Sequence, residues 1–160
     1  MEANVLLVKM AEMAVVENSN LLKTTLGSCV GVILHDGKKN IGGLAHIMLP
    51  ESSPRDSTAG KFVDTAIPSL LNQILEKGGR KQHIRAYLAG GANMFKTSTD
   101  KKITTVGEKN IEASKRVLEE LQIPIACEET GGELGRTVVF DNHNGHMQVT
   151  TLSPVLGKGA

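Results

Sequence analysis

The sequence predicts an α+β fold, and three observations predict it. Eight or more short runs are strand-like, either alternating or continuously apolar, and two longer stretches carry apolar residues at helical spacing. Strands and helices do not alternate regularly enough for a parallel βαβ sheet. The 160 residues fit a single domain, 1–160, with room for a hydrophobic core.

Val5–Val8, Met13–Val16, Leu21–Leu26, Cys29–His35 and Ile41–Leu49 read as strands, punctuated by Gly27, Asp36-Gly37 and Gly42-Gly43. The run from Pro50 to Asp56 is a loop by composition. Phe62, Val63, Ala66, Ile67, Leu70, Leu71, Ile74 and Leu75 then recur at helical spacing until Gly78-Gly79 stops them. Pro68 lies inside this stripe, and because the stripe begins before it, a kinked helix is expected rather than one that starts near Thr65. Ile84–Ala89 is a further strand, Gly107–Gln122 a second helix ended by Pro124, and Ile125–Glu128, Arg136–Phe140 and Met147–Leu152 the remaining strands. Asn144-Gly145 is a strong hairpin signal between the last two.

Composition excludes several classes of function. A net charge of +1 sets up no field that favours nucleic acid or an anionic membrane surface. Phe62, Phe95, Phe140 and Tyr87 are the whole aromatic complement, too few for base-stacking platforms or sugar grooves. No stretch approaches the roughly 20 apolar residues of a membrane span. The opening Met1-Glu2-Ala3-Asn4 is acidic and Val5–Val8 is too short for a signal core, so a reducing cytoplasm is the expected setting. Two cysteines, Cys29 and Cys127, make no disulfide framework, and each needs its own explanation.

The informative segment is Leu26–Leu49. With Asp36 and Gly37 at the centre of a two-residue turn, Cys29 faces Leu44; with Gly37 and Lys38 there, it faces His46. Either register puts Cys29 and His46 on one sheet face, with Cβ atoms about 5 Å apart when opposite and roughly 7–8 Å on the diagonal. A neighbouring imidazole can hold a thiol, of pKa about 8.5 when free, as the reactive thiolate. Gly27 and Ser28 allow a tight turn whose N–H groups could converge on an oxyanion. The bland alternative is a buried apolar cysteine beside a core histidine. Zinc on Cys29, Cys127, His46, His143 and His146 is disfavoured: no C-x-x-C occurs, and the His143/His146 pair flanks a turn. Cys127, beside Glu128 and Glu129, reads as structural, and Gly90-Gly91-Ala92 and Gly131–Arg136 read as close-packed glycine turns rather than phosphate loops.

Several separate segments together resemble the CheD family of bacterial and archaeal chemotaxis. They are Leu26–Val30, Gly43–Pro50, Phe62–Ala66, Ala89–Phe95, Gly107–Asn110 and Thr130–Gly132, in family order over most of residues 5–152. The resemblance implies stacked β-sheets with two long helices on one side, similar to toxin deamidases. It implies a cofactor-free, metal-free cysteine hydrolase that converts selected glutamines on cytoplasmic helices of chemoreceptors to glutamate. Some members also hydrolyse glutamate methyl esters. A CheC-type phosphatase is the implied partner. Cys29 becomes the nucleophile and His46 its base. The family's triad usually has a threonine six residues before the cysteine, where this chain has Lys23; by alternation Thr25 shares the Lys23 face and is the expected orienter of His46, with Thr24 serving only in a shifted strand. The rival readings are a docking module without turnover and a thiol peptidase.

Overall fold

A computed structural model of the protein describes residues 4–94 and 104–152; Phe95, which closes the 89–95 segment, lies outside them. The described chain runs β1 (Val5–Leu7), β2 (Met13–Glu17), β3 (Leu21–Leu26), β4 (Val30–Asp36), β5 (Ile41–Ile47), α1 (Val63–Glu76), β6 (Ile84–Gly90), α2 (Val106–Glu120), β7 (Ile125–Thr130), β8 (Arg136–Asp141) and β9 (His146–Thr151). Every strand expected from the sequence is present, its ends moved by no more than two residues. Helix α1 continues on both sides of Pro68, as its apolar stripe demands. Helix α2 starts at a cap: the Thr105 hydroxyl accepts from the Glu108 N–H at 3.2 Å.

The strands form two sheets, one ordered β1-β3-β8-β9 and the other β2-β5-β4-β6-β7. Pairing is antiparallel except for β1 with β3 and β6 with β7. Strands β4 and β5 are buried along their whole length, which requires cover on both faces. Alternation supplies it. Val30, Val32 and Leu34 face Ile67, Leu70 and Ile74 of α1 and Leu118 of α2. Ile33 and Leu44 face the other way, onto Leu22, Leu26, Val138 and Phe140 of the smaller sheet. The result is an α+β fold in three layers, small sheet on large sheet on two helices.

The turn between β4 and β5 differs from both expected registers. It spans four residues, 37–40, because the Asp36 carboxylate accepts the N–H groups of Lys38 and Lys39 at 3.0 and 3.1 Å and Asn40 takes φ +53. Gly31 therefore pairs with His46, and Cys29 lies two residues upstream, in the bend before β4 rather than in it. The turn between β8 and β9 closes at Gly145, φ +70, as Asn144-Gly145 signals. The neighbouring Asn142 amide donates to the carbonyls of Asn18 and Asn40 at 2.8 and 2.9 Å, tying three turns together.

Gly90 and Gly91 take φ of +97 and +70. A Cβ on Gly90 would run into the Cys29 carbonyl oxygen, and one on Gly91 would lie 2.5 Å from Ile111. They are a packing device, as the sequence reading had it. Gly90→Ala is expected to cost on the order of 1–3 kcal/mol, from the positive φ and the displaced Cys29 backbone. Chemical denaturation checks this; a cost within a few tenths of a kcal/mol would mean that the loop relaxes freely.

Candidate active site

Between β3 and β4 the chain passes from one sheet to the other through Gly27-Ser28-Cys29. All three carbonyls of this bend are held. Gly27 accepts from the Ala92 N–H at 2.9 Å, Cys29 from Gly91 N–H at 2.8 Å, and Ser28 from the Asn110 side-chain amide at 3.1 Å. In a trans peptide the N–H points opposite to the preceding carbonyl, so the N–H groups of Ser28 and Cys29 turn away from this clamp. Neither donates to a backbone carbonyl among the described residues. Two adjacent donors turned away from the clamp, the Cys29 N–H lying against its own sulfur, are what a developing oxyanion needs.

Asn110 was not singled out for a role in the sequence reading. It is fully buried, and its amide also donates to the Met48 carbonyl at 3.0 Å, so one side chain joins the cysteine bend to the end of the histidine strand. Its Oδ1 is buried with no partner among the described residues. The signal for it was present: a polar, helix-indifferent residue in phase with the buried Gly107, Ala113 and Ser114 of α2.

His46 projects from β5 into the space between the sheets, where its Nδ1 lies 2.7 Å from the Thr24 hydroxyl. That hydroxyl is also 2.7 Å from the Val8 carbonyl. A carbonyl only accepts, so the single hydroxyl proton goes to Val8, and the threonine oxygen must accept from His46 Nδ1–H. The chain His46→Thr24→Val8 fixes the tautomer and leaves Nε2 as an unprotonated base with no partner among the described residues. The ring is further seated by its own backbone, which exchanges hydrogen bonds with Ala11 and Glu12 at 2.9 and 3.0 Å.

The expected orienter, Thr25, is elsewhere. It points to the outer face of the small sheet, exposed, 3.4 Å from Thr137 on the paired strand. Lys23 is exposed on the same face. The inward positions of β3 are Leu22, Thr24 and Leu26, each essentially inaccessible. A lysine cannot face an apolar interior, so every residue in phase with it faces out, Thr25 included.

The Cys29 side chain packs against the same inter-sheet cluster. Gly31, the partner of His46, would aim a Cβ at Leu26 and Thr24, so this face of β4 is the histidine face. Cys29 stands in the bend two residues before Gly31 and packs with Ile33 and Leu44 in the cluster on that face. Burial raises the Cys29 thiol above its ordinary value, against a smaller opposing effect of its own backbone N–H, and lowers His46 below its own, against smaller opposing effects of Val8 and Glu12. Both shifts favour the uncharged form, so the resting pair is thiol and neutral imidazole.

Cys127 stands on β7, half-buried opposite Tyr87, and both cysteines are free thiols. His143 and His146 lie at the β8–β9 turn, and among the described residues no three His, Cys, Asp or Glu side chains gather as a metal site requires. Around the cysteine bend the surface is apolar. Met94, 45% exposed, lies against Gly27, and Leu152, 41% exposed, lies against Gly135, beside the Leu26 carbonyl.

Thr24→Val should leave the Val8 carbonyl and the His46 Nδ1–H unpaired, at a cost of about 1–3 kcal/mol. Thr25→Val should stay within about 0.5 kcal/mol of the parent. Denaturant midpoints decide it, and equal effects of the two substitutions would contradict the relay.

Residues 48–151 match the family described as CheD chemotactic sensory transduction, a match that begins two residues beyond His46. Longer matches come from individual relatives, each called "Probable chemoreceptor glutamine deamidase CheD". The protein of Methanococcus vannielii is 47% identical over 91% of this chain and 94% of its own. That of Clostridium novyi is 44% identical over 82% and 83%, and that of Caldanaerobacter subterraneus subsp. tengcongensis 41% over 95% and 96%. Among solved structures, the Bacillus licheniformis hypothetical protein YfiH aligns with a TM-score of 0.44 at 14% identity, over 74% of this chain and 49% of that one, a partial likeness that carries no inference. With a family match across more than half its length and identities above two-fifths over nearly all of it, this protein belongs to the CheD family.

Proposed function

We propose that this protein hydrolyses glutamine side-chain amides to glutamate on cytoplasmic helices of chemoreceptors, with Cys29 as nucleophile and His46 as base. The observation that carries the reading is the relay through Thr24, which leaves His46 Nε2 bare on the sheet face that Cys29 shares. The names of the relatives supply the substrate class.

In this reading Nε2 removes the thiol proton as sulfur attacks the carboxamide carbon, and the N–H groups of Ser28 and Cys29 receive the oxyanion. The C–N bond then breaks, the imidazolium gives its proton to the departing ammonia, and a thioester remains. Water, deprotonated by Nε2, attacks the thioester carbonyl; glutamate leaves and the thiol recovers its proton. Charge separates only during attack, because both resting shifts favour neutrality. The exposed side chains of Leu49, Met94, Val106 and Leu152 provide apolar surface for a protein substrate, which a free amino acid would not need. The same steps would cleave a glutamate methyl ester, with methanol leaving in place of ammonia. A CheC-type phosphatase is the partner that the family resemblance suggests.

Cys29→Ala should abolish deamidation of a receptor fragment, read as loss of the one-dalton mass gain, while Cys127→Ser keeps it. Turnover surviving in Cys29→Ala would sink the mechanism, and a fragment bound but never altered by the parent protein would leave a docking module. Catalysis requires neutral His46, whose pKa lies below the ordinary 6.5, so kcat/KM should hold from pH 8 down to about 6.5 and fall only below it. A limb that rises with pH above the ordinary thiol range would instead mean that a preformed thiolate is needed.

A further inference from the structure

At the opposite end of β4 from the cysteine, the two sheets diverge around a cleft of about 440 Å³. Seven residues of strand separate the two ends, roughly 20 Å at about 3.3 Å per residue. The cleft therefore owes nothing to the proposed active site, and its size falls in the range of ligand pockets, about 300–1,000 Å³.

Its floor is built. His35 and Tyr87 pack with Phe140 in an aromatic cluster, His35 at 5.1 Å and Tyr87 at 5.0 Å between ring centroids. His35 Nε2 lies 2.9 Å from the Asn142 carbonyl, so that nitrogen carries the proton and Nδ1 of the neutral ring is a hydrogen-bond acceptor. Burial outweighs the nearby carboxylates of Asp36 and Asp141 and keeps the ring on the neutral side. The Nδ1 edge faces the cleft walls at Gly37 and Gly145; a Cβ on Gly145 would sit 3.2 Å from Nδ1 and 3.4 Å from the Tyr87 hydroxyl, roofing both.

The rim is cationic. Lys38 and Arg85 line it beside His83, and no carboxylate is among the lining residues. The two acids that act on His35 are engaged: Asp36, fully buried, accepts from the backbone N–H of Lys38, Lys39 and Arg80 and faces His83 at 3.4 Å, and Asp141 accepts from the His143 N–H at 2.9 Å. A rim of fixed cations repels metal ions and attracts oxyanions, with Arg85 able to grip a phosphate in two places. The floor asks for something different: a donor for His35 Nδ1 and a partner for the Tyr87 hydroxyl.

We propose that this cleft binds a hydroxylated phosphate monoester of the sugar-phosphate class, its phosphate between Lys38 and Arg85 and a hydroxyl on His35 and Tyr87. Amide-resolved NMR titration of the full chain tests it, with ribose 5-phosphate as probe and inorganic phosphate and ribose as separate arms. Saturating shifts centred on His35, Tyr87 and Gly145 are expected, with ribose 5-phosphate at least tenfold tighter than either arm. Lys38→Ala with Arg85→Ala, both on exposed side chains, should remove that advantage while the spectrum stays folded. Inorganic phosphate binding as tightly as ribose 5-phosphate, or affinity unchanged in the double variant, would overturn the proposal. So would the absence of any saturable shift.

Discussion

The Thr24 hydroxyl joins two sheets that share no strand. It hangs from β3 of the small sheet, donates to Val8 beyond the end of β1, and accepts from His46 on β5 of the large one. Buried this deeply, a hydroxyl without partners would cost on the order of 1–3 kcal/mol, so both bonds are demanded by folding before any chemistry is considered. The same two bonds decide which imidazole nitrogen carries the proton. Stability of the sheet packing and the tautomer of His46 are therefore set by one interaction, and the sheets cannot slide relative to each other without releasing the ring.

The electrostatics follow from the same burial. An interior that holds His46 neutral also disfavours a thiolate at Cys29, and no fixed cation is described beside the sulfur to offset this. A charged resting pair would have to be stabilised against desolvation at both ends. In the proposed reaction a neutral pair avoids that cost, and charge appears only in the transition state, where the N–H groups of Ser28 and Cys29 would meet it. For the proposed reaction, the apolar surroundings thus favour differential stabilisation over a permanently activated thiolate.

Much of the fold was legible because alternation and helical spacing are local properties. Strand β3 shows both the power and the misuse of that signal. Its sequence, Leu-Leu-Lys-Thr-Thr-Leu, puts Leu22 and Leu26 inward and Lys23 outward, which by itself assigns Thr24 to the interior. Anchoring the orienter to the family's usual position, occupied here by Lys23, transferred a role to the wrong face. The β4–β5 register failed for a different reason. Asp36-Gly37 reads as a two-residue turn only if the aspartate is a turn residue; here its carboxylate caps the loop from the strand end, adding two residues. Two added residues shift the pairing by a whole alternation, so Gly31 pairs with His46 and Cys29 still precedes it on the same face.

What no local reading could supply is the clamp on the cysteine bend. The Asn110 amide reaches Ser28 across 82 residues of chain, and Gly90 and Gly91 are shaped to lie against a carbonyl and a side chain from elsewhere in the sequence. The proposed oxyanion donors are defined indirectly: three carbonyls are turned one way, and the intervening N–H groups are left facing the other. Such a site exists only once β6 and α2 have docked on β4. Its precision comes from long-range contacts, whereas the proposed nucleophile and base stand within a stretch of two dozen residues. A sequence displays reactive groups where they stand, but it displays the groups that aim them only as a buried asparagine in a helix and a pair of glycines after a strand.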